Sequence, residues 1–323
     1  MMDFTPSDSQ QAVATLAAEV LTAADPWKEL AQAGLLDVSP PDGLSVLDTT
    51  TLLTEIGRHA PQEAMKALAT LMTGAVPVAR WGDDDLKQAL LPAVASGELL
   101  LTASRREASL GAAVSGTATG VWHAADAHRV LVPVSSGVVL IDPRSEGVTL
   151  TRTPASSGQP EYALRMDHVR VAGMLSGSGC RADLQNLAVA GACALIDGAV
   201  AGALALTRDH VATRRQFGRP LAEFQAVSQQ IADVYIASRT MHLATLSACW
   251  RLDEGRDPGA DLSVAGYWCA EQASQAVRHC HHLHGGLGMD VTYPLHRFSA
   301  LVTDLTRYLG GAEYQLEHQC SLT

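Results

Sequence analysis

Apolar positions along the chain fall into three regimes. From Gln10 to about Leu101 their spacing is helical, with Val13, Leu16, Ala17, Val20 and Leu21 recurring at i, i+3 and i+4. Runs at 30–36, 52–56, 65–81 and 86–94 continue the pattern, and Pro40-Pro41, Pro61 and Gly97 interrupt it. Between about Thr102 and Gly179 short β-type runs replace it, at 130–134, 138–141, 148–150, 162–166 and 169–171. Clusters such as Ser135-Ser136-Gly137, Asp142-Pro143 and Ser156-Ser157-Gly158 separate these runs, which predicts a small antiparallel sheet domain. From about Leu184 the helical period returns, broken near Phe217-Gly218-Arg219-Pro220, Asp257-Pro258-Gly259, Gly285-Gly286-Leu287-Gly288 and Tyr293-Pro294. Long helices with short connections predict an antiparallel four-helix bundle. The expected fold is therefore mainly α with a small β-domain (α+β). It divides into an N-terminal helical domain (1–101), a middle antiparallel β-domain (102–179) and a C-terminal four-helix domain (180–323).

Composition narrows the choice. The 323 residues carry 23 basic and 34 acidic side chains, a formal net charge of −11, with 47% hydrophobic residues and a mean hydropathy of +0.08. That rules out a disordered chain. It also argues against nucleic acid or an anionic membrane surface as a general partner, so an anionic ligand must meet a local basic cluster. Residues 1–25 show no signal or lipidation pattern, and the six cysteines lie scattered without a CxxC pair; a reduced, cytoplasmic protein is expected. The stretch 187–206 is apolar enough to span a membrane and holds Gly198 and Gly202 at GxxxG spacing. Asp197 at its centre and the dominance of Ala and Gly favour a buried bundle helix instead.

The main basic cluster lies at 207–220, where Arg208, Arg214, Arg215 and Arg219 face a single acid, Asp209. Guanidinium groups suit a pyrophosphate, Phe217 offers an apolar face to an adenine, and glycines 285, 286 and 288 let backbone approach a phosphate. A solvated basic helix end followed by a glycine cap fits the same residues. The motifs around them decide between the two. Arg214-Arg215-Gln216-Phe217-Gly218-Arg219-Pro220-Leu221 is followed by Phe224-Gln225. Further on come Leu283-His284-Gly285-Gly286-Leu287-Gly288 and then Tyr293-Pro294. Upstream lie Trp27-Lys28-Glu29-Leu30-Ala31-Gln32-Ala33-Gly34-Leu35-Leu36 and Glu55-Ile56-Gly57-Arg58. In this order they resemble the acyl-CoA dehydrogenase family across essentially the whole chain. The resemblance implies FAD as cofactor, with Arg214, Gln216, Phe217, Gln225, His282, Gly285 and Gly286 holding its ADP end across a subunit interface.

Other elements of that family are missing. The loop that opens the β-domain as Thr-Glu-Pro…Gly-Ser-Asp in typical members reads Leu101-Thr102-Ala103-Ser104-Arg105-Arg106-Glu107-Ala108-Ser109 here. The Trp-Ile-Thr element reads Val121-Trp122-His123-Ala124, with no counterpart for its hydroxyl. Proton abstraction α to a thioester needs a carboxylate in a dry pocket. Where many members have Tyr-Glu-Gly-Thr this chain has Tyr308-Leu309-Gly310-Gly311, and the alternative place of the base is Ala188-Val189-Ala190. Asp197 and Glu313 are the acids nearest those positions, and neither matches them. No catalytic residue is therefore assigned. The run His279-Cys280-His281-His282-Leu283-His284 has metal-ligand residue types but lacks a further partner at ligand spacing; His282 reads as a nucleotide contact and no metal is expected.

The lost features act within one subunit and the retained ones across an interface. The expectation is a base-lacking subunit that shares FAD with a homologous, catalytically complete acyl-CoA dehydrogenase subunit acting on an acyl-CoA. It resembles the heteromeric enzymes that actinobacteria use on steroid side-chain thioesters. A self-sufficient homo-oligomer with an unusual base and a non-enzymatic scaffold are the alternatives.

Overall fold

The N-terminal helices begin where the sequence supplies a cap. In the computed structural model, which describes residues 4–322, the Ser7 hydroxyl accepts from the Gln10 backbone N–H at 3.2 Å while the Gln10 side chain accepts from the Ser7 N–H, starting α1 (Asp8–Val20). Ser45 and Asp48 make the same reciprocal pair at the start of α3 (Val46–His59). Between them α2 (Pro26–Gln32) ends partway through the apolar run at 30–36, because Gly34 takes φ +74°. The run at 65–81 is continuous helix in three parts: α4 (Ala64–Ala67), a π-helical stretch Leu68–Ala75 buried at every residue, and α5 (Val76–Trp81). Helix α6 (Asp84–Ala95) completes the zone.

The middle zone holds two four-stranded sheets, which corrects the expectation of one antiparallel sheet. The first, in order β1-β4-β5-β8, comprises β1 (Leu101–Ala103), β4 (Arg129–Val134), β5 (Gly137–Ile141) and β8 (Gly173–Leu175). Its β1–β4 pair is parallel. The second, in order β2-β3-β7-β6, is antiparallel and comprises β2 (Ser109–Leu110), β3 (Val114–Trp122), β7 (Glu161–Val169) and β6 (Val148–Thr153). Strand β3 escaped the pattern because Ser115, Gly116, Thr117, Thr119 and Gly120 dilute its apolar alternation. The predicted runs 162–166 and 169–171 belong to one strand, β7, which ends at Val169. Residues such as Val132, Val139, Leu164 and Val169 fill a core between the sheets.

The last zone has five helices rather than four. They are α7 (Cys180–Thr213), α8 (Gln225–Asp253), α9 (Gly259–His284), α10 (Leu295–Leu309) and α11 (Gly311–Leu322). Gly310 and Gly311, at φ +89° and +83°, separate the last two. Helix α7 is the apolar one: it is long and hydrophobic enough to cross a membrane, yet 83% of its most apolar window is buried inside the protein. Its glycines are contact points with α3. A methyl group at Gly198 would run into the Thr54 carbonyl oxygen, and one at Gly202 would meet the Arg58 carbonyl and the Phe298 ring. Gly57 returns the contact from α3 against Leu195. At the other end of α7, Asp183 accepts from Arg80 at 2.8 Å and from the Trp81 indole N–H at 2.7 Å, fastening α5 to it. Cys180, Cys193, Cys249, Cys269 and Cys280 are buried free thiols.

Backbone-to-backbone packing at Gly198 leaves no room for added volume. Gly198→Ala is expected to lower unfolding free energy by about 1–3 kcal/mol, the cost of overpacking a tight core. Gly111→Ala, where a methyl would meet open space, should stay within about 0.5 kcal/mol. Denaturant midpoints of the two variants check the difference.

Candidate functional site

The predicted nucleotide contacts gather at one end of the helical bundle. Arg214 caps the C-terminus of α7, its N–H bonded to the His210 carbonyl. A hairpin of β9 (Arg215–Gln216) and β10 (Arg219–Pro220) follows, with Phe217 at its turn, 93% exposed at φ +50°. Gln225 is the first residue of α8. On the other side, α9 ends at His284, and Gly285 leaves it at φ +59°. The two ends meet through a ring stack, His210 on His284 at 4.4 Å between centroids. His284 also bonds the Cys280 carbonyl at 2.8 Å and the Tyr293 hydroxyl at 3.0 Å. His282 lies exposed on the last turn of α9, and at Gly285 and Gly286 a methyl group would meet nothing within 4 Å.

The arginines of the cluster separate by what already holds them. Arg208 pairs with Asp209 at 2.9 Å, Arg215 donates to the Gly218 carbonyl at 3.0 Å, and Arg219 lies over the Phe224 ring at 4.1 Å. Among the described residues nothing bonds the Arg214 guanidinium. It is the cation left available for an external anion, beside backbone that is open at two glycines.

A second site lies between the β-domain and the helices, a cavity of about 640 Å³. Strand β3 contributes Thr119, Gly120 and Trp122 to its wall, α7 contributes Gln185, Asn186 and Val189, and the end of α10 contributes Arg307, Tyr308 and Leu309. Leu309 is fully buried. The one carboxylate in the wall is Glu161, whose side chain is 3% exposed and which Arg307 grips with two bonds of 2.9 and 2.5 Å. This pairing follows from register: Glu161 sits opposite Trp122 on one side and Thr153 on the other, so the three side chains share a face. That face meets α10. Arg307 extends over Trp122 at 5.9 Å, and Asp304, one turn earlier, accepts from the Ser156 and Ser157 N–H groups at 2.9 and 2.8 Å. From the loop after β1, Arg105 donates to the Tyr308 carbonyl and lies over the Tyr308 ring at 4.8 Å.

The two acids singled out from the sequence lie elsewhere. Asp197 is 3% exposed and bonds His242 at 2.8 Å in a separate cavity of about 200 Å³, walled by α1, α3, α7 and α8, that shares no lining residue with the larger one. Glu313 is exposed on α11 and does not line the larger cavity. The histidine run of α9 is committed to hydrogen bonds: His281 to Gly288 and Ser299, His284 to Cys280 and Tyr293. Among the described residues no three His, Cys, Asp or Glu side chains converge as a metal site.

Sequence reasoning missed Glu161, Arg307 and the role of Arg105. Their partners lie about 146 and 203 residues away along the chain, so no local motif marks them. The signal available was the unexplained Arg105-Arg106 in place of the family's loop.

A helical N-terminal zone, a β-domain and a helical C-terminal bundle that meet around a cavity define the architecture of a flavin-dependent acyl-CoA oxidoreductase. Residues 4–98 match the acyl-CoA dehydrogenase N-terminal domain and residues 177–318 the acyl-CoA dehydrogenase C-terminal domain, so the chain belongs to the acyl-CoA dehydrogenase family. It is 43% identical to acyl-CoA dehydrogenase FadE28 of Mycobacterium tuberculosis over 343 aligned positions, covering 100% of both chains. It also superposes on a chain of the ChsE4–ChsE5 complex from Mycobacterium tuberculosis, with a TM-score of 0.91 and 27% identity over 98% of this chain and 97% of that one. The Tcur3481–Tcur3483 steroid ACAD gives a TM-score of 0.89 and 28% identity over 98% and 97%.

The stacked histidines supply a test of the site's rigidity. Burial, then the facing imidazole and Arg214, hold His210 below the ordinary value of 6.5; burial, against the Cys280 bond, lowers His284. Both are therefore neutral when folded and protonate more readily when unfolded. Their contribution is whole above pH 6.5 and is lost as pH falls from there toward the folded values. The melting temperature should decline from pH 6.5 downward, before carboxylates titrate. His284→Gln should flatten part of that decline in a pH series of thermal melts.

Proposed function

We propose that the chain is one subunit of a heteromeric, FAD-dependent acyl-CoA dehydrogenase. A homologous partner subunit supplies the catalytic carboxylate and the flavin pocket, and this chain holds the ADP end of the shared cofactor. The α-proton of a thioester needs a carboxylate poised near neutrality in a dry site. The observation that carries the reading is at the end of α10: Leu309, fully buried, stands against the cavity, and the only carboxylate in that wall is already clamped by Arg307. A carboxylate that accepts two guanidinium bonds has its oxygens already engaged and is held away from a second task.

The ADP-end residues fit their group. Arg214 has an unengaged guanidinium for the diphosphate, the Gly285 and Gly286 backbone is open to close approach, and Phe217 presents its ring to solvent. Gln216, Gln225 and His282 would add polar contacts around them. When bound, FAD supplies the acceptor for the hydride that leaves the β-carbon of the thioester. What this chain contributes is position: it fixes the cofactor's charged end and closes the partner's site against water. The likeness to a steroid ACAD supports a bulky polycyclic acyl-CoA as substrate. Such a group makes room valuable, and a subunit that surrenders its own site provides it.

Two experiments test this. The chain purified alone should carry little FAD, whereas the assembled complex should be yellow, and Arg214→Ala should weaken FAD retention in the complex roughly ten- to hundred-fold while assembly is unchanged. Stoichiometric flavin in the isolated chain overturns the division of labour.

The acids of this chain should be dispensable for chemistry. Removing a positioned base costs about 10²–10⁴-fold in rate. Asp197→Asn and Glu313→Gln in the assembled enzyme should leave single-turnover flavin bleaching by acyl-CoA within about twofold of wild type, because Asp197 faces a different cavity and Glu313 faces solvent. Loss of bleaching with FAD and acyl-CoA still bound would place the base in this chain.

A further inference from the structure

The 640 Å³ cavity has an electrostatic character that the division of labour leaves unused. Three guanidinium groups line it, Arg105, Arg106 and Arg307, against one carboxylate, Glu161. Arg307 answers Glu161. Arg105 meets only uncharged partners, the Tyr308 carbonyl and ring and the Gln185 amide oxygen at 3.4 Å. Nothing among the described residues bonds the exposed Arg106 guanidinium. Two positive charges therefore stand in the wall without counter-charge, in a protein whose net charge is −11. The same wall includes the first turn of α9 (Gly259, Leu262), whose N-terminus is already answered by Asp257, which accepts from the Gly259 N–H at 3.0 Å, so the positive field of the wall is that of its arginines. The indole N–H of Trp122 is a further donor, buried and unpartnered. The rest of the lining is mixed: Val189, Leu262 and Leu309 are apolar, while Thr119, Asn186 and Gln315 are polar. A cavity of this volume is the size of a small-molecule site, within the usual range of about 300–1,000 Å³.

We propose that this cavity binds an organic acid, an amphipathic ring body bearing a free carboxylate, with Arg105 and Arg106 holding the carboxylate. The inference rests on the reading that the cavity no longer carries out thioester oxidation. It adds that the cavity has become a receptor for a free organic acid. A carboxylate fits better than a thioester here, because the uncompensated charges call for an anion at the cavity and a thioester carbonyl is neutral.

The test uses the full-length chain and cholate as probe, with cholate methyl ester as the neutral counterpart and inorganic phosphate as an anion without a ring body. Calorimetry should show cholate binding at least about tenfold more tightly than its ester, and phosphate should not compete. Arg105→Gln and Arg106→Gln should each weaken cholate about tenfold or more; Arg106 is exposed, so its replacement leaves the fold intact even if that of Arg105 does not. No cholate binding, equal binding of the ester, competition by phosphate, or indifference to Arg106→Gln each overturns the proposal. Flavin absorbance of the same isolated sample separates the two readings. A yellow chain refutes the shared-cofactor proposal, whereas a colourless chain that ignores cholate refutes only this one.

Discussion

Two carboxylates, Glu161 and Asp304, lie almost wholly inside the protein, at 3% and 1% side-chain exposure, and the seam between the β-domain and the helical bundle is built on neutralising them. Glu161 is met by both nitrogens of Arg307, and Asp304 by two backbone N–H groups and the Ser157 hydroxyl at 2.6 Å. Neither carboxylate can be left alone at such burial without a cost of several kcal/mol. Helix α10 therefore has one docking position on the β6–β7 hairpin. That position decides where α10 ends, and so where Tyr308 and Leu309 stand. It also draws the Arg307 stem across Trp122, leaving that face of the sheet covered by a cation. The shape of the cavity is a consequence of this clasp.

The helices were legible in the sequence because their signals are local. Ser7 with Gln10 and Ser45 with Asp48 cap helix starts within four residues, whereas the Gly310-Gly311 break between α10 and α11 was not read from the pattern. Apolar periodicity located α1, α3 and α6 without help from partners. Strand β3 was not legible, since its small polar residues satisfy neither template and its long partner, β7, pairs with it from Val114↔Val169 to Trp122↔Glu161, far along the chain. The parallel pairing of β1 with β4 was equally hidden, because Leu101–Ala103 is too short to show a period. The GxxxG spacing at Gly198 and Gly202 was visible but ambiguous. Only the neighbouring α3 backbone shows that it serves close helix packing inside the protein core.

The candidate site divides along the same line. The residues proposed to hold the ADP end belong to short contiguous motifs, and the fold brings those motifs to one end of the bundle through the His210–His284 stack. The cavity wall belongs to no motif. Glu161, Arg307 and Arg105 find one another across the full length of the chain, so their roles appear only once the chain is folded.

Partner accounting separates the two halves of the site. A residue kept for an external ligand should be left without an internal partner, since satisfying it inside would compete with binding. Arg214 meets that condition, whereas Arg208, Arg215 and Arg219, its neighbours in sequence, each have an internal contact. In the cavity the reverse holds for the acid: the only carboxylate present is fully engaged, and a leucine occupies the adjoining wall. A site drifting without constraint would lose partners and donors alike. Here the surface half keeps its cation free while the interior half ties its carboxylate down, which is the asymmetry on which the proposal of a cofactor shared between two unequal subunits rests.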